Sequence, residues 1–252
     1  MRYLSIFNND GEILTAFSDI FLKGKWFDLD CTYSKGVFYE KVDKPKLKSD
    51  LIPQCEDVVQ ADSTELNFIE DNSINSIVFD PPFLFRNRKS TNNDKMCTRF
   101  SYFKSYEDLM NMYKKSIDCF YHKLKKGGYV FFKCQDMTDN KFFCTHNDII
   151  NYATENGFVL KDIGIKASKT KLQRDAKQQN CLAKIHSYWL VLKKDNLLKE
   201  LTNEQPPNDV KCIDCEYLEI NGAWGVCAEE YKMVHPNDCC GKGKLKEKEA
   251  QG

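Results

Sequence analysis

Ile77-Val78-Phe79-Asp80-Pro81-Pro82-Phe83 is the stretch from which the rest of the chain is read. Three consecutive apolar residues without alternation suit a strand buried on both faces of a parallel sheet. Two prolines end that strand. Neither can donate a backbone hydrogen bond, and the first pushes Asp80 out of helical conformation, so the chain leaves the sheet stiff and extended. A carboxylate, proline carbonyl oxygens and the aromatic face of Phe83 therefore gather at the carboxyl end of the strand. An aromatic amine is a poor nucleophile because its lone pair is delocalised into the ring. Two acceptors on its hydrogens, here Asp80 and the Pro81 carbonyl, would draw the nitrogen toward a tetrahedral, attacking form, with Phe83 stacking on the ring. The same tetrapeptide also serves as an ordinary turn after a strand, so its surroundings decide.

Working outward, Asp57 to Asp62 reads as the preceding strand, a brief segment around Lys46 to Asp50 as another, and Lys25 to Asp30 as the first. Ahead of them, Asn9-Asp10-Gly11 starts a helix whose apolar residues Ile13, Leu14, Phe17, Ile20 and Phe21 recur at helical spacing before Gly24. Downstream, Ser105 caps a helix with Asp108 completing a capping box, and Gly127-Gly128 is expected to end it. Tyr129 to Lys133 is a fifth strand, His146 to Asn156 a helix, Phe158 to Ile165 a sixth strand and Ser187 to Leu192 a seventh. Strands alternating with helices imply a doubly wound, mostly parallel seven-stranded α/β sheet with ligands at the carboxyl ends of its strands, where Asp30, Asp62 and Asp80 fall. The last two strands, with no helix pattern between them, are expected to pair antiparallel at the sheet edge.

At 252 residues and 29.4 kDa the chain can bury one full domain core, taken as residues 1–202, with a small appendage. Its 37 basic and 37 acidic residues balance, so any nucleic-acid binding must come from local patches. No stretch is long and apolar enough to span a bilayer, and residues 1–10 lack a signal-peptide pattern, so a cytoplasmic location without membrane contact is expected.

Twelve cysteines are many for such a chain, and five of them lie between Cys212 and Cys240, beyond a linker at 203–210 that contains Pro206-Pro207. In this module, 211–252, Cys212, Cys215, Cys227 and Cys239 supply thiolates for a tetrahedral metal site. Zinc is the first choice because so short a segment cannot bury an adequate core unaided, and a cysteine-ligated iron-sulfur cluster is the alternative. His235 could replace the last cysteine.

Taken in order, Asp30-Cys31-Thr32-Tyr33-Ser34-Lys35-Gly36, Gln60-Ala61-Asp62, Asp80-Pro81-Pro82-Phe83, Gly128 to Asp136, and Lys184 to Tyr188 resemble the amino-group branch of the S-adenosylmethionine-dependent nucleic-acid methyltransferases, in particular compact adenine-type enzymes of prokaryotes and phages. The resemblance covers about residues 12 to 194 and implies a Rossmann-like methyltransferase sheet. It also implies methyl transfer from S-adenosylmethionine to the N6 amine of adenine in DNA, with RNA adenine or the N4 amine of cytosine as alternative acceptors. Under it Asp80, Pro81, Pro82 and Phe83 are catalytic, Asp30, Thr32 and the Gly36 loop floor the methionine end of the cofactor, Asp50 takes the ribose hydroxyls and Asp62 the adenine amino group. Carboxylates suit these tasks because hydroxyls, amines and a sulfonium all favour acceptors of negative charge. The cofactor loop departs from the family in having Gly36 alone, with Tyr33 and Lys35 where small residues are expected; a non-catalytic nucleic-acid-binding protein on the same fold is the alternative this departure raises.

A base inside a duplex is beyond the reach of a sheet-edge pocket, so the target would be flipped out or taken from a single strand. Phe83 and Phe85 either stack on that base or pack beneath the loop. Arg86, Arg88 and Lys89, followed by Phe100, Tyr102 and Phe103, mix phosphate-neutralising and base-stacking side chains, and Lys169, Lys171 and Arg174 form a second basic stretch. His186, just before a strand, is expected to hold the local backbone through a hydrogen bond.

Overall fold

The computed structural model describes residues 2–40, 42–85, 103–168 and 181–195 and the backbone strands 218–221, 224–227 and 232–234. The basic residues Arg86, Arg88, Lys89, Lys169, Lys171 and Arg174, and the cysteines Cys212, Cys215 and Cys239, lie outside the described residues.

Residues 2–195 carry strand β1 (Ile6–Phe7), helix α1 (Asp10–Phe21), β2 (Leu29–Asp30), β3 (Leu47–Asp50), β4 (Val59–Gln60), β5 (Ile74–Phe79), α2 (Tyr106–Lys123), β6 (Leu124–Cys134), β7 (Met137–Thr138), β8 (Phe142–Phe143), α3 (Thr145–Glu155), β9 (Phe158–Ala167) and β10 (His186–Lys194). The main sheet runs β1-β9-β10-β6-β5-β2-β3-β4. Only β10 opposes the others, pairing antiparallel with both β6 and β9. This is a doubly wound, Rossmann-like sheet whose last two strands pair antiparallel as expected, with β9 and then β1 lying outside β10. Strand order reverses between β2 and β5, so their carboxyl ends form the switch-point crevice where ligands of such sheets bind.

The sheet has eight strands rather than seven. The additional one is β1, which adds to the far edge with Ile6 opposite Ile165 and Phe7 opposite Lys166. Two residues give no periodicity to read. The second correction concerns Gly127-Gly128, which does not end a helix. Helix α2 stops at Lys123, and the two glycines sit inside β6 where its pairing with β5 shifts register between Ile74 and Ser76. Gly127 has φ +80°, and a Cβ on Gly128 would lie 3.0 Å from the Asn75 and Lys125 carbonyl oxygens, so this irregularity requires small residues.

Alternation along the central strands divides the core. Ile77 and Phe79 of β5, Val130 and Phe132 of β6, and Leu190 and Leu192 of β10 pack with Leu109, Tyr113, Ile117 and Phe120 of α2 and with Ile149 and Ala153 of α3. Val78, Phe131, Trp189 and Val191 face the other way, onto Ile13, Leu14 and Phe17 of α1. Each such side chain, fully buried, contributes roughly 1.5–3 kcal/mol. Aromatic geometry adds to this, with Phe17 stacked on Phe131 at 5.2 Å and edge-on to Trp189 at 6.4 Å.

Both anticipated helix starts are capped by side chains. Asn9 accepts from the Glu12 N–H at 2.9 Å and Ser105 from the Asp108 N–H at 3.1 Å. The connections between β2 and β5 carry no α-helix, only a short 3-10 turn at Val37–Tyr39. Among the described residues no helix is long and apolar enough to cross a membrane.

Chain contacts divide the molecule into two units, Met1–Asn196 and Leu197–Gly252. In the second, Leu218–Asn221, Trp224–Cys227 and Lys232–Val234 form a three-stranded antiparallel sheet, with Cys227 closing the middle strand.

Candidate active site

The carboxyl ends of β2 and β5 are tied together by one hydroxyl. Thr32 Oγ1 accepts the backbone N–H of Asp80 at 2.7 Å and lies 3.3 Å from Asp30 Oδ1, to which it donates. Beyond Asp80, the Pro82 carbonyl accepts from the Tyr113 hydroxyl at 2.7 Å, whereas the Pro81 carbonyl takes no hydrogen bond from the described residues.

Asp80 does not stand alone. Lys133, the residue after Phe132 on β6, lies beside it because Phe79 pairs with Phe132 in parallel register. The Lys133 Nζ is 3.2 Å from Asp80 Oδ2 and 3.0 Å from Asp10 Oδ1, and Asp10 Oδ1 also accepts from Trp189 Nε1 at 2.9 Å. The same ammonium lies 4.6 Å from the Phe38 ring centre, 5.5 Å from that of Trp189 and 5.8 Å from that of Phe83.

Burial pushes the Asp80 carboxyl above its usual range, with Lys133 pulling it back down and Asp10 pushing it further up. For Lys133, burial works against the charge, but the two carboxylates prevail and hold the ammonium above its ordinary value. Lys133 therefore remains cationic, and Asp80 keeps an ion pair on one oxygen while 22% of its side chain stays exposed.

A cavity of about 440 Å³ opens beside this group, lined by Asp80, Pro81 and Pro82 together with Thr32, Gly36, Asp50 and Asp62. That volume lies within the range of small-molecule sites. Asp50 Oδ2 accepts from the Ser34 N–H and its Oδ1 from the Ile52 N–H, each at 2.8 Å, so it also pins two loops. Asp62 is exposed, and its Oδ1 holds the Thr64 N–H and hydroxyl.

Asp30 lies under the cavity floor rather than in its wall, 2% exposed. Its oxygens receive the Thr32 N–H at 2.8 Å and the Tyr39 hydroxyl at 2.8 Å. Burial nevertheless raises its carboxyl from 3.8 to about 7, the hydrogen bonds from Thr32 and Tyr39 offsetting only part of the effect.

A carboxyl raised on folding contributes stability that is full below the unfolded value and lost as pH rises through the folded one, here from about 4 through about 7. Asp30→Asn keeps an acceptor for Thr32 and removes the ionisation. Denaturant melts at pH 5 and pH 8 should show the parent losing on the order of 2–3 kcal/mol more than the variant across that interval. Parallel pH profiles would refute the assignment.

Gly36 sits at φ +68°, and a Cβ there would lie 2.4 Å from atoms of the Tyr33 ring. That ring stacks on Tyr39 at 5.6 Å and 12°. The single glycine of the loop is thus required by both backbone conformation and the aromatic side chain folded over it. Of the two phenylalanines, Phe85 is 9% exposed and packs edge-on against Tyr106 and Phe143 as a core residue. Phe83 is half-buried near Lys133 and does not line the cavity. The His186 ring meets a side chain rather than backbone, its Nε2 lying 3.1 Å from the Tyr188 hydroxyl, while the His186 carbonyl accepts from Gln135 Nε2 at 2.8 Å.

Asp10 and Trp189 are the site residues that sequence reasoning missed. Asp10 reads as a helix-start residue, which it also is, and Trp189 as strand core. The pairing of Lys133 with Asp80 carried a signal, since aligning the carboxyl ends of neighbouring parallel strands sets the two residues side by side.

No family model matches the chain, and no curated protein matches it. Among solved structures it is similar to TTHA0409, a protein described as a putative DNA modification methylase from Thermus thermophilus, in complex with S-adenosyl-L-methionine, at 18% identity over 54% of each chain and a TM-score of 0.38. This chain thus spans about half the length of that protein. It is also similar to the N-methyltransferase NodS from Bradyrhizobium japonicum, at 13% identity over 74% of this chain and 88% of that one with a TM-score of 0.43. A third likeness is to TrmN from Thermus thermophilus, at 13% identity over 73% of this chain and 48% of that one with a TM-score of 0.40. With TM-scores of 0.38 to 0.43, none of these three assigns an activity to the chain.

Proposed function

We propose that this chain transfers a methyl group from S-adenosylmethionine to the exocyclic N6 amine of adenine in DNA. The observation that carries the reading is the pairing of Asp80 with a Pro81 carbonyl that takes no hydrogen bond from the described residues, at the switch point of the sheet and on the wall of a cavity that also presents Asp50 and Asp62. The donor set fits the cofactor. Its hydroxyls, amino groups and sulfonium call for acceptors and negative charge, and three carboxylates line this cavity.

In this reading Thr32 and the Gly36 loop bound the methionine end, with Asp30 holding them from beneath, while Asp50 and Asp62 take the ribose and adenine ends. S-adenosylmethionine held there would supply an electrophilic methyl carbon, with a neutral thioether as its leaving group. Asp80 and the Pro81 carbonyl accept the two hydrogens of the target amine and turn its lone pair out of the ring plane. Lys133 opposes the effect of burial on Asp80 and favours its carboxylate, the form that accepts rather than donates. The proton leaves after methylation, once the alkylated nitrogen has become acidic, by way of Asp80 or solvent. Arg86, Arg88, Lys89, Lys169, Lys171 and Arg174 would neutralise phosphates of the target strand, and Cys212, Cys215, Cys227 and Cys239 would hold zinc in the second unit.

The test is transfer of a labelled methyl group to unmodified DNA and RNA oligonucleotides, with digestion to nucleosides. N6-methyladenine from DNA is expected, with DNA labelled at least about tenfold faster than RNA, the scale of one good discriminating contact. Label on RNA or on cytosine would redirect the substrate assignment, and calorimetry showing no S-adenosylmethionine binding would overturn the enzyme reading.

A further inference from the structure

We propose that Asp136, Cys144 and His146 form a transition-metal site, suited to zinc, that fastens the β7–β8 ribbon to the start of α3. The proposal is independent of the methyl-transfer reading. The ribbon pairs Met137 with Phe143 and Thr138 with Phe142 in antiparallel register. Asp136 immediately precedes it and Cys144 immediately follows it, so the ribbon brings the two together, and His146 stands in the first turn of α3. One carboxylate oxygen, one thiol sulfur and one imidazole nitrogen converge, all within 4.8 Å of one another.

The separations approach those of a single coordination sphere. His146 Nδ1 lies 3.8 Å from Cys144 Sγ, against about 3.5 Å for two ligands at tetrahedral zinc. It lies 2.8 Å from Asp136 Oδ1, a hydrogen-bond distance that must open by about half an ångström to admit the ion between them. The imidazole plane is already set, because the ring stacks on Tyr188 at 4.3 Å and 26°.

The mixed oxygen, nitrogen and sulfur donors argue against magnesium or calcium, which take oxygen ligands, and for a borderline ion. Asp136 is buried while Cys144 and His146 are half-buried, which leaves the outer side for a water as fourth ligand. A purely structural account explains two of the three side chains: Asp136 accepts from the His146 backbone N–H at 3.2 Å and from its ring, as a helix cap would. It gives the sulfur only the 3.8 Å contact with the His146 ring, since Cys144 occupies the N-cap position without making a side-chain cap bond.

The test uses the full-length chain. Because the cysteines of the second unit would bind zinc as well, Cys212→Ser/Cys215→Ser serves as the background. After incubation with zinc sulfate and gel filtration, this background should retain about one equivalent of zinc per chain, reduced at least tenfold by Cys144→Ala and by His146→Ala. Cobalt(II) titration of the background should give the visible spectrum of a tetrahedral site, lost in both variants. Cys144→Ala removes a side chain that caps nothing, so its melt without metal should match the background, and added zinc should raise the midpoint of the background only. Zinc content unchanged by Cys144→Ala, or a background that binds none, would overturn the proposal.

Discussion

Asp80→Ala is expected to slow methyl transfer by about 10³-fold, the upper range for removing one preorganised polar group from a transition state, while S-adenosylmethionine affinity changes less than about threefold. The carboxylate acts on the incoming amine rather than on the bulk of the cofactor, whose ribose and adenine would be held by Asp50 and Asp62. The backbone at this point does not depend on the side chain, because the Asp80 N–H is held by Thr32 and the Pro82 carbonyl by Tyr113. Nor does the substitution strand a buried cation, since Lys133 keeps Asp10 at 3.0 Å. Single-turnover labelled transfer and calorimetry on the same preparation separate the two effects. Wild-type turnover in the variant would remove Asp80 from the chemistry; lost cofactor affinity at unchanged single-turnover rate would move it into the cofactor site.

Lys133→Met should give the largest loss of stability at the site, about 3 kcal/mol at neutral pH, because it leaves two mostly buried carboxylates without their shared cation. The figure sits at the lower end for a broken buried pair because 22% of the Asp80 side chain remains exposed. In a unit of this size that corresponds to a thermal midpoint lower by roughly 6–12 °C.

The pH dependence has a definite sign. Asp80 is already raised by burial and by Asp10, and Lys133 opposes that rise, so removing Lys133 raises it further. A raised carboxyl loses stability as pH increases, so the deficit of the variant should be larger at pH 8 than at pH 5. The acid limb of the activity profile should move to higher pH by the same logic, because transfer needs Asp80 ionised. A midpoint equal to the parent at both pH values would show that the ion pair contributes nothing, and an unmoved acid limb would show that Asp80 does not set it.

Much of this fold could be read from local signals. The strand into Asp80, the Ser105 cap and the antiparallel last pair leave clear marks because each depends on nearby residues: an apolar run, a capping side chain, the absence of an intervening helix pattern. What escaped depends on tertiary register. β1 is two residues long and exists only because β9 offers an edge to pair with. Gly127 and Gly128 look the same in sequence whether they end a helix or bend a strand, and the pairing with β5 decides.

At the site, the strand-end carboxylates were legible as a set, but the division of labour among them was not. Asp30 and Asp50 follow similar segments, yet one is sealed beneath Thr32 and Tyr39 while the other reaches the cavity. Asp10 joins Asp80 only through a lysine on a third element.

The ring of Tyr33 lying across Gly36 has a consequence for how this loop can change over generations. With the ring in place, position 36 accepts no side chain, because a Cβ would meet it at 2.4 Å. With a small residue at 33, the steric barrier disappears and only the left-handed backbone remains to favour glycine. The two positions therefore have an order of substitution: 33 must shrink before 36 can grow. While the ring stays at 33, the glycine at 36 stays with it.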